Sequence, residues 1–228
     1  MNPATSSEYP VILFDIDGTL IITGGAGAES WRKAFDELYG IPADIGEFTD
    51  TGMTDPDVGR KTFEAVLHRK PTRAEFSKLL ERRLHYLYSA VADSKDYRVL
   101  DGVDELLPEL IDEGYLLGIV TGNVEAAAHV KLHRARLNRF FSFGGYGSDS
   151  TDRGKLTKIA VQRASLVFGE PVSPDECLAI GDTPHDAEGA HAAGIKCVGV
   201  ASHNFDADQL REGGADYVIN SLTEGLPL

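Results

Sequence analysis

Cysteine is scarce in this chain: Cys177 and Cys197 are the only two in 228 residues, and both fall within apolar, strand-like runs. Such a pair reads as buried free thiols of a reducing compartment, with one disulfide as the alternative, rather than as a stapled framework. Positive charge is also in short supply, with 22 Lys and Arg against 36 Asp and Glu and a net charge of −14. That balance disfavours nucleic-acid backbones and anionic membrane surfaces as broad partners. A small anion still binds where a local cation outweighs the distant net charge, so a small partner molecule is expected. No apolar stretch approaches the roughly 18 residues needed to span a bilayer. The opening MNPATSSEYP lacks the basic and apolar character of a secretion signal. The expectation is a soluble cytoplasmic protein without repeats or low-complexity tracts, Met1 to Tyr9 being a loosely held tail.

What is present is concentrated at the ends of short apolar runs. Val11 to Phe14 are four consecutive apolar residues, two of them β-branched, which suits a parallel strand covered on both faces. Asp15 and Asp17 follow at once, where open α/β sheets keep their ligand sites. Carboxylates beside a core are costly unless they are paired or hold a metal. An acidic turn would account for a bare pair of aspartates. The full DIDGT, with Gly18 permitting a sharp exit, is much rarer. Tyr115 to Val120 is a second such run, ending in Thr121, Gly122 and Asn123; Cys177 to Ile180 is a third, ending in GDTPHD. Asp182 and Pro184 also suit a helix start, an explanation that does not require Asp186.

Between Ile22 and Arg98 no strand-like run occurs. Trp31, Ala34, Phe35 and Leu38 recur at helical spacing until Gly40 and Pro42; Val58, Thr62, Phe63 and Val66 continue the period. Thr72 with Glu75 forms a capping-box pattern opening a long helix through Val91. From Arg98 onward strands and helices alternate. Strands are expected at 115–120, 140–143, 177–180, 197–200 and 217–219; helices are expected at 102–113, 124–136, 155–168, 186–193 and 207–212. The fold class is therefore α/β: a doubly wound parallel sheet carrying an inserted helical unit. The core comprises 1–22 and 97–228 and the insertion 23–96, with hinges near Ile22 to Gly25 and Ser94 to Arg98.

DIDGT, TGN and GDTPHD, in that order and each after an apolar run, resemble the motifs of the haloacid dehalogenase-like hydrolase superfamily, and the resemblance spans nearly the whole chain. It implies a Rossmann-like core with a mobile α-helical cap, and phosphatase activity toward small phosphorylated metabolites through an aspartyl-phosphate intermediate. It further implies Asp15 as nucleophile, Asp17 as acid and base, and Thr121 with Gly122 and Asn123 at the phosphoryl oxygens. Mg²⁺ would be held by Asp15, the Asp17 backbone carbonyl and Asp182, with Asp186 as an outer partner. The family's basic residue is expected in STDRGKLTK: counting back from Gly169 selects Lys155, with Arg153 next and Lys158 third. Thr51 to Asp55 (TGMTD), Gly52 included, resemble the specificity loop of phosphoglycolate phosphatase-like members. Gly24, Gly25 and Gly27 read as hinge or plain loop. His129 and His133 read as surface residues, and His185 as a residue near the entrance. A dehalogenase would not need the acid that Asp17 supplies. A β-phosphoglucomutase-like phosphosugar mutase and a non-catalytic phosphometabolite sensor are the alternatives.

Overall fold

The computed structural model describes residues 9–228, so the expected tail, apart from Tyr9, lies outside the described residues. Strand β1 (Val11–Phe14) occupies the interior of a six-stranded sheet, and its four side chains are all fully buried. Their alternation explains why the run is continuous. Ile12 and Phe14 enter one apolar cluster, while Val11 and Leu13 enter another on the opposite face. After β2 (Ile21–Ile22) come three helices, α1 (Ala26–Tyr39), α2 (Asp55–Leu67) and α3 (Arg73–Asp93). The chain then forms β3 (Arg98–Val99), α4 (Val103–Asp112), β4 (Leu116–Thr121), α5 (Glu125–His133) and β5 (Phe143–Tyr146). It closes with α6 (Arg153–Phe168), β6 (Cys177–Gly181), α7 (Pro184–Ala192), β7 (Lys196–Val200), α8 (Ala207–Glu212) and β8 (Tyr217–Ile219).

The sheet runs β5-β4-β1-β6-β7-β8, every pairing parallel. Leu107 and Leu110 of α4 and Leu132 of α5 cover one face; Leu156 and Ala160 of α6 and Ala187 of α7 cover the other. The doubly wound α/β expectation is thus met. The helical segment leaves and re-enters through an antiparallel β2–β3 ladder pairing Ile21 with Val99 and Ile22 with Arg98. It has its own apolar cluster around Trp31, Phe35, Phe63 and Leu79. Thr72 and Glu75 form the capping box at the start of α3.

Several boundaries differ from expectation, three of them with a local cause. Strand β5 lies three residues later than 140–143, because Leu137–Phe140 is a 3-10 turn and the strand proper is FGGY. Its two glycines deprive it of the β-branched signature that marks the other strands. Helix α5 ends at His133, and Arg136 then adopts a left-handed φ of 60°. Helix α6 begins at Arg153 rather than Lys155, because the Asp152 side chain caps it by accepting from Lys155 N at 3.0 Å. Cys177 and Cys197 are free and buried, not bridged, and burial pushes both thiols up to about 12. Among the described residues no helix is long and apolar enough to cross a membrane.

Candidate active site

Register places the site. Phe14 pairs with Ile119 of β4 on one side and Ile180 of β6 on the other. Three adjacent parallel strands therefore end level, and the residues that follow them must converge: Asp15 after β1, Thr121 closing β4, Asp182 after β6. The Asp15 N–H donates to the Ile180 carbonyl at 2.9 Å, so the strand pairing continues to the carboxylate itself. Above these ends lies a cavity of about 270 Å³, walled by Asp15, Asp17, Asn123, Lys131, Arg153 and Gly52, among others.

One oxygen from each of Asp15, Asp182 and Asp186 lies within 4.8 Å of the others. All three side chains are buried, Asp182 at 1% exposure. Burial pushes Asp182 up to about 8, reinforced by the charges of Asp15 and Asp17. Burial likewise raises Asp15, against the opposing charge of Arg153. Carboxylates so placed cannot all ionise unless a cation joins them. Two further observations fit a divalent ion. Asp182 Oδ2 is buried with no hydrogen-bond partner among the described residues, and Oδ1 has only a long 3.5 Å contact with the Thr19 hydroxyl. Gly18, at φ 86°, also leaves open the space beside that carboxylate: a Cβ there would stand 2.1 Å from Asp182 Oδ2. An all-oxygen, carboxylate-rich donor set suits Mg²⁺. Gly18→Ala is expected to add about 1–2 kcal/mol of left-handed strain and to displace Asp182. Thermal melts with and without Mg²⁺ should show the ion's stabilisation disappear.

Asp17 has a separate environment. Its Oδ2 accepts from Lys131 Nζ at 2.6 Å and from Asn123 Nδ2 at 2.8 Å. Burial would raise this carboxyl, but the Lys131 ammonium and the Asn123 amide outweigh it and hold Asp17 below its ordinary value. Asn123 Nδ2 also donates to Thr121 Oγ1 at 2.9 Å, so one amide spans the residues expected at the phosphoryl oxygens and the acid.

Of the three basic residues expected here, Arg153 and not Lys155 reaches the cavity. Arg153 lines the cavity, its side chain 12% exposed, and pairs with Asp186 Oδ1. Lys155 is 72% exposed and reaches only Asp152, 3.8 Å away; Lys158 is exposed as well. The reason is the helix: two residues along it turn a side chain by roughly 200°, so only one of the pair can face inward. Asp186 Oδ2 is occupied by Thr183, accepting from its N–H at 3.0 Å and its hydroxyl at 2.8 Å.

The TGMTD segment reaches the same cavity through Thr51, Gly52, Met53 and Asp55. Asp55 opens α2, donates its N–H to the Gly122 carbonyl at 2.8 Å, and accepts from Val124 N at 2.9 Å. Its other oxygen meets buried Arg83 at 2.9 Å. Gly122 must be glycine for this approach, since a Cβ would lie 2.8 Å from the Met53 carbonyl oxygen. His185 does not line this cavity but packs beside Gly52, and His129 is exposed. Lys131 escaped the sequence reading. Its signal was a lysine sharing a buried helical face with Ala127, Ala128 and Leu132, where an apolar residue is the norm.

Comparison with known proteins agrees with this geometry. The family model for haloacid dehalogenase-like hydrolase matches residues 9–194. A pyrophosphatase, PpaX, of Halalkalibacterium halodurans is 26% identical over 230 residues, covering 97% of each chain. A phosphoglycolate phosphatase of Aquifex aeolicus is 30% identical over 190 residues, covering 82% of each. Among solved structures, that of a predicted phosphoglycolate phosphatase from Haemophilus somnus 129PT superposes with a TM-score of 0.74 at 20% identity, over 96% of this chain and 97% of that one. At that identity it speaks for the fold alone. With the motifs, their convergence at three adjoining strand ends and a family match over most of its length, this chain belongs to the haloacid dehalogenase-like hydrolase family.

Proposed function

We propose that this chain is a Mg²⁺-dependent phosphatase of small phosphorylated metabolites, working through an aspartyl phosphate on Asp15. One observation carries the reading: Asp15 shares oxygen-ligand distance with Asp182 and Asp186, while the Asp17 carboxylate is turned to Lys131 and Asn123. Nucleophile and acid are thereby divided between neighbouring residues in different electrostatic settings.

Phosphate monoesters are among the slowest substrates to hydrolyse, enzymes accelerating them by up to ~10²¹-fold, so several devices must act together. In this mechanism an Asp15 oxygen attacks phosphorus, and the bond to the leaving oxygen breaks. Asp17 gives that oxygen a proton, then takes one from the water that hydrolyses the acyl phosphate. Arg153, Thr121, the Asn123 amide and the backbone around Gly122 hold the phosphoryl oxygens. Asp15, the Asp17 carbonyl and Asp182, with Asp186 behind them, would hold Mg²⁺, which would supply charge neutralisation between two anions.

Residues 23–96 form the cap in this reading, and the rest of the chain the core. Substrate choice belongs to the cap, through Gly52 and its neighbours. The two free thiols support a cytoplasmic location. A panel of phosphorylated metabolites, phosphoglycolate and pyrophosphate included, tests the proposal with Mg²⁺ supplied and withheld. Metal-dependent release of inorganic phosphate is expected. An isomerised sugar phosphate without release would point to a mutase, and tight binding without turnover to a sensor. Arg153→Met should lower kcat/KM by about 10²–10³-fold. Lys155→Met, on an exposed side chain, should change it by less than about twofold.

A further inference from the structure

We propose that Lys131 is a positioning residue that fixes which oxygen of Asp17 delivers the proton to the leaving group. The inference rests on the reading of Asp17 as the general acid. Lys131 projects from α5 with its side chain 7% exposed, lines the cavity, and places Nζ 2.6 Å from Asp17 Oδ2. The Asn123 amide donates to the same oxygen at 2.8 Å. Both donors thus converge on Oδ2, and none of the described hydrogen bonds reaches Oδ1.

With Oδ2 held by two donors, a proton reaching this carboxyl from the bound phosphoryl group sits on Oδ1. The side chain is pinned as well: with Oδ2 anchored between α5 and the loop after β4, Oδ1 has a single direction. Lys131 is itself anchored, its backbone carbonyl accepting from the Tyr97 hydroxyl at 2.9 Å at the return from the helical segment. In the first step an Asp15 oxygen forms a bond to phosphorus, and the phosphorus–leaving-oxygen bond breaks with its electron pair going to that oxygen. The proton on Asp17 Oδ1 transfers to the same oxygen. Asp17 is left as a carboxylate facing an ammonium whose own protonation does not change. A cation held here therefore serves the step twice, aiming the acid and stabilising the anion it becomes.

Such a role predicts a dependence on the leaving group that a purely structural or substrate-gripping lysine would not show. An alkoxide needs its proton in the transition state, whereas p-nitrophenoxide departs without one. The readout is the single-turnover rate of leaving-group release, which isolates the first step from hydrolysis of the acyl enzyme. Lys131→Met should slow release from an alkyl phosphate by about 100-fold and from p-nitrophenyl phosphate by no more than about threefold. Lys131→Arg, which keeps a charged donor, should recover most of the alkyl phosphate rate. Should Lys131→Met fail to fold, Lys131→Gln takes its place in the same comparison. Equal losses on both substrates, or no loss on either, would overturn the proposal. Asp17→Asn serves as the reference. If it shows the split and the Lys131 variants do not, only the role of Lys131 falls; if it shows none, the acid assignment itself is wrong.

Discussion

Asp15→Asn should reduce phosphatase turnover by about 10⁴-fold or more while leaving the fold and its melting temperature nearly unchanged. The amide is isosteric but a poor nucleophile, and with no acyl phosphate formed the reaction loses its division into two easier displacements. Asp15 is almost wholly buried and continues the β1–β6 pairing through its N–H, so the backbone does not depend on its charge. Replacing one of several crowded carboxylates by a neutral amide relieves repulsion in the metal-free protein. Full turnover in this variant, measured on a purified sample with a generic aryl phosphate, would remove Asp15 from the mechanism.

Asp182→Asn should be comparably inactive, and its stability should reveal why. Burial and two neighbouring carboxylates push Asp182 from 3.8 up to about 8. The sign follows from proton counting. Between these values the folded, metal-free protein holds a proton that the unfolded chain has released, so stability falls as pH rises. That slope is at most about 1.4 kcal/mol per pH unit for this group. The benefit of the protonated carboxyl is fully present below about 4 and lost as pH passes about 8. Mg²⁺ would replace the proton and reverse the trend. Melting temperatures in chelator should thus fall for the wild type from pH 5 to 8, and fall less for Asp182→Asn. Added Mg²⁺ should raise the wild-type melting temperature at pH 8 and leave the variant almost unmoved. Equal Mg²⁺ responses in the two proteins would separate Asp182 from the ion.

The legible parts of this molecule are those whose signal is local. Val11 to Phe14, Tyr115 to Val120 and Cys177 to Ile180 announce buried parallel strands, and the polar residues just after them mark the strand ends that the fold brings together. The long helix after Thr72 is equally plain, because its cap is built from residues three apart. What escaped reading depends on contacts distant in sequence or on an angle. The strand FGGY has its place through packing rather than propensity, and its glycines hid it. Arg153 and Lys155 stand roughly 200° apart around the helix and so point nearly oppositely; the choice turned on a cap at Asp152 that moved the helix start by two residues. Lys131 was missed because its partner is remote in sequence; only the fold brings it to Asp17, 114 residues away in the chain.

Reductive trapping of the phosphoenzyme addresses the mechanism most directly. Borohydride added during turnover reduces an aspartyl phosphate to homoserine, which peptide mass spectrometry locates. Homoserine should appear at position 15 alone, only when substrate and Mg²⁺ are both present, and should be absent from Asp15→Asn. Sustained turnover with no homoserine at position 15 at any quench time, or with the label on another aspartate, would contradict nucleophilic attack by Asp15.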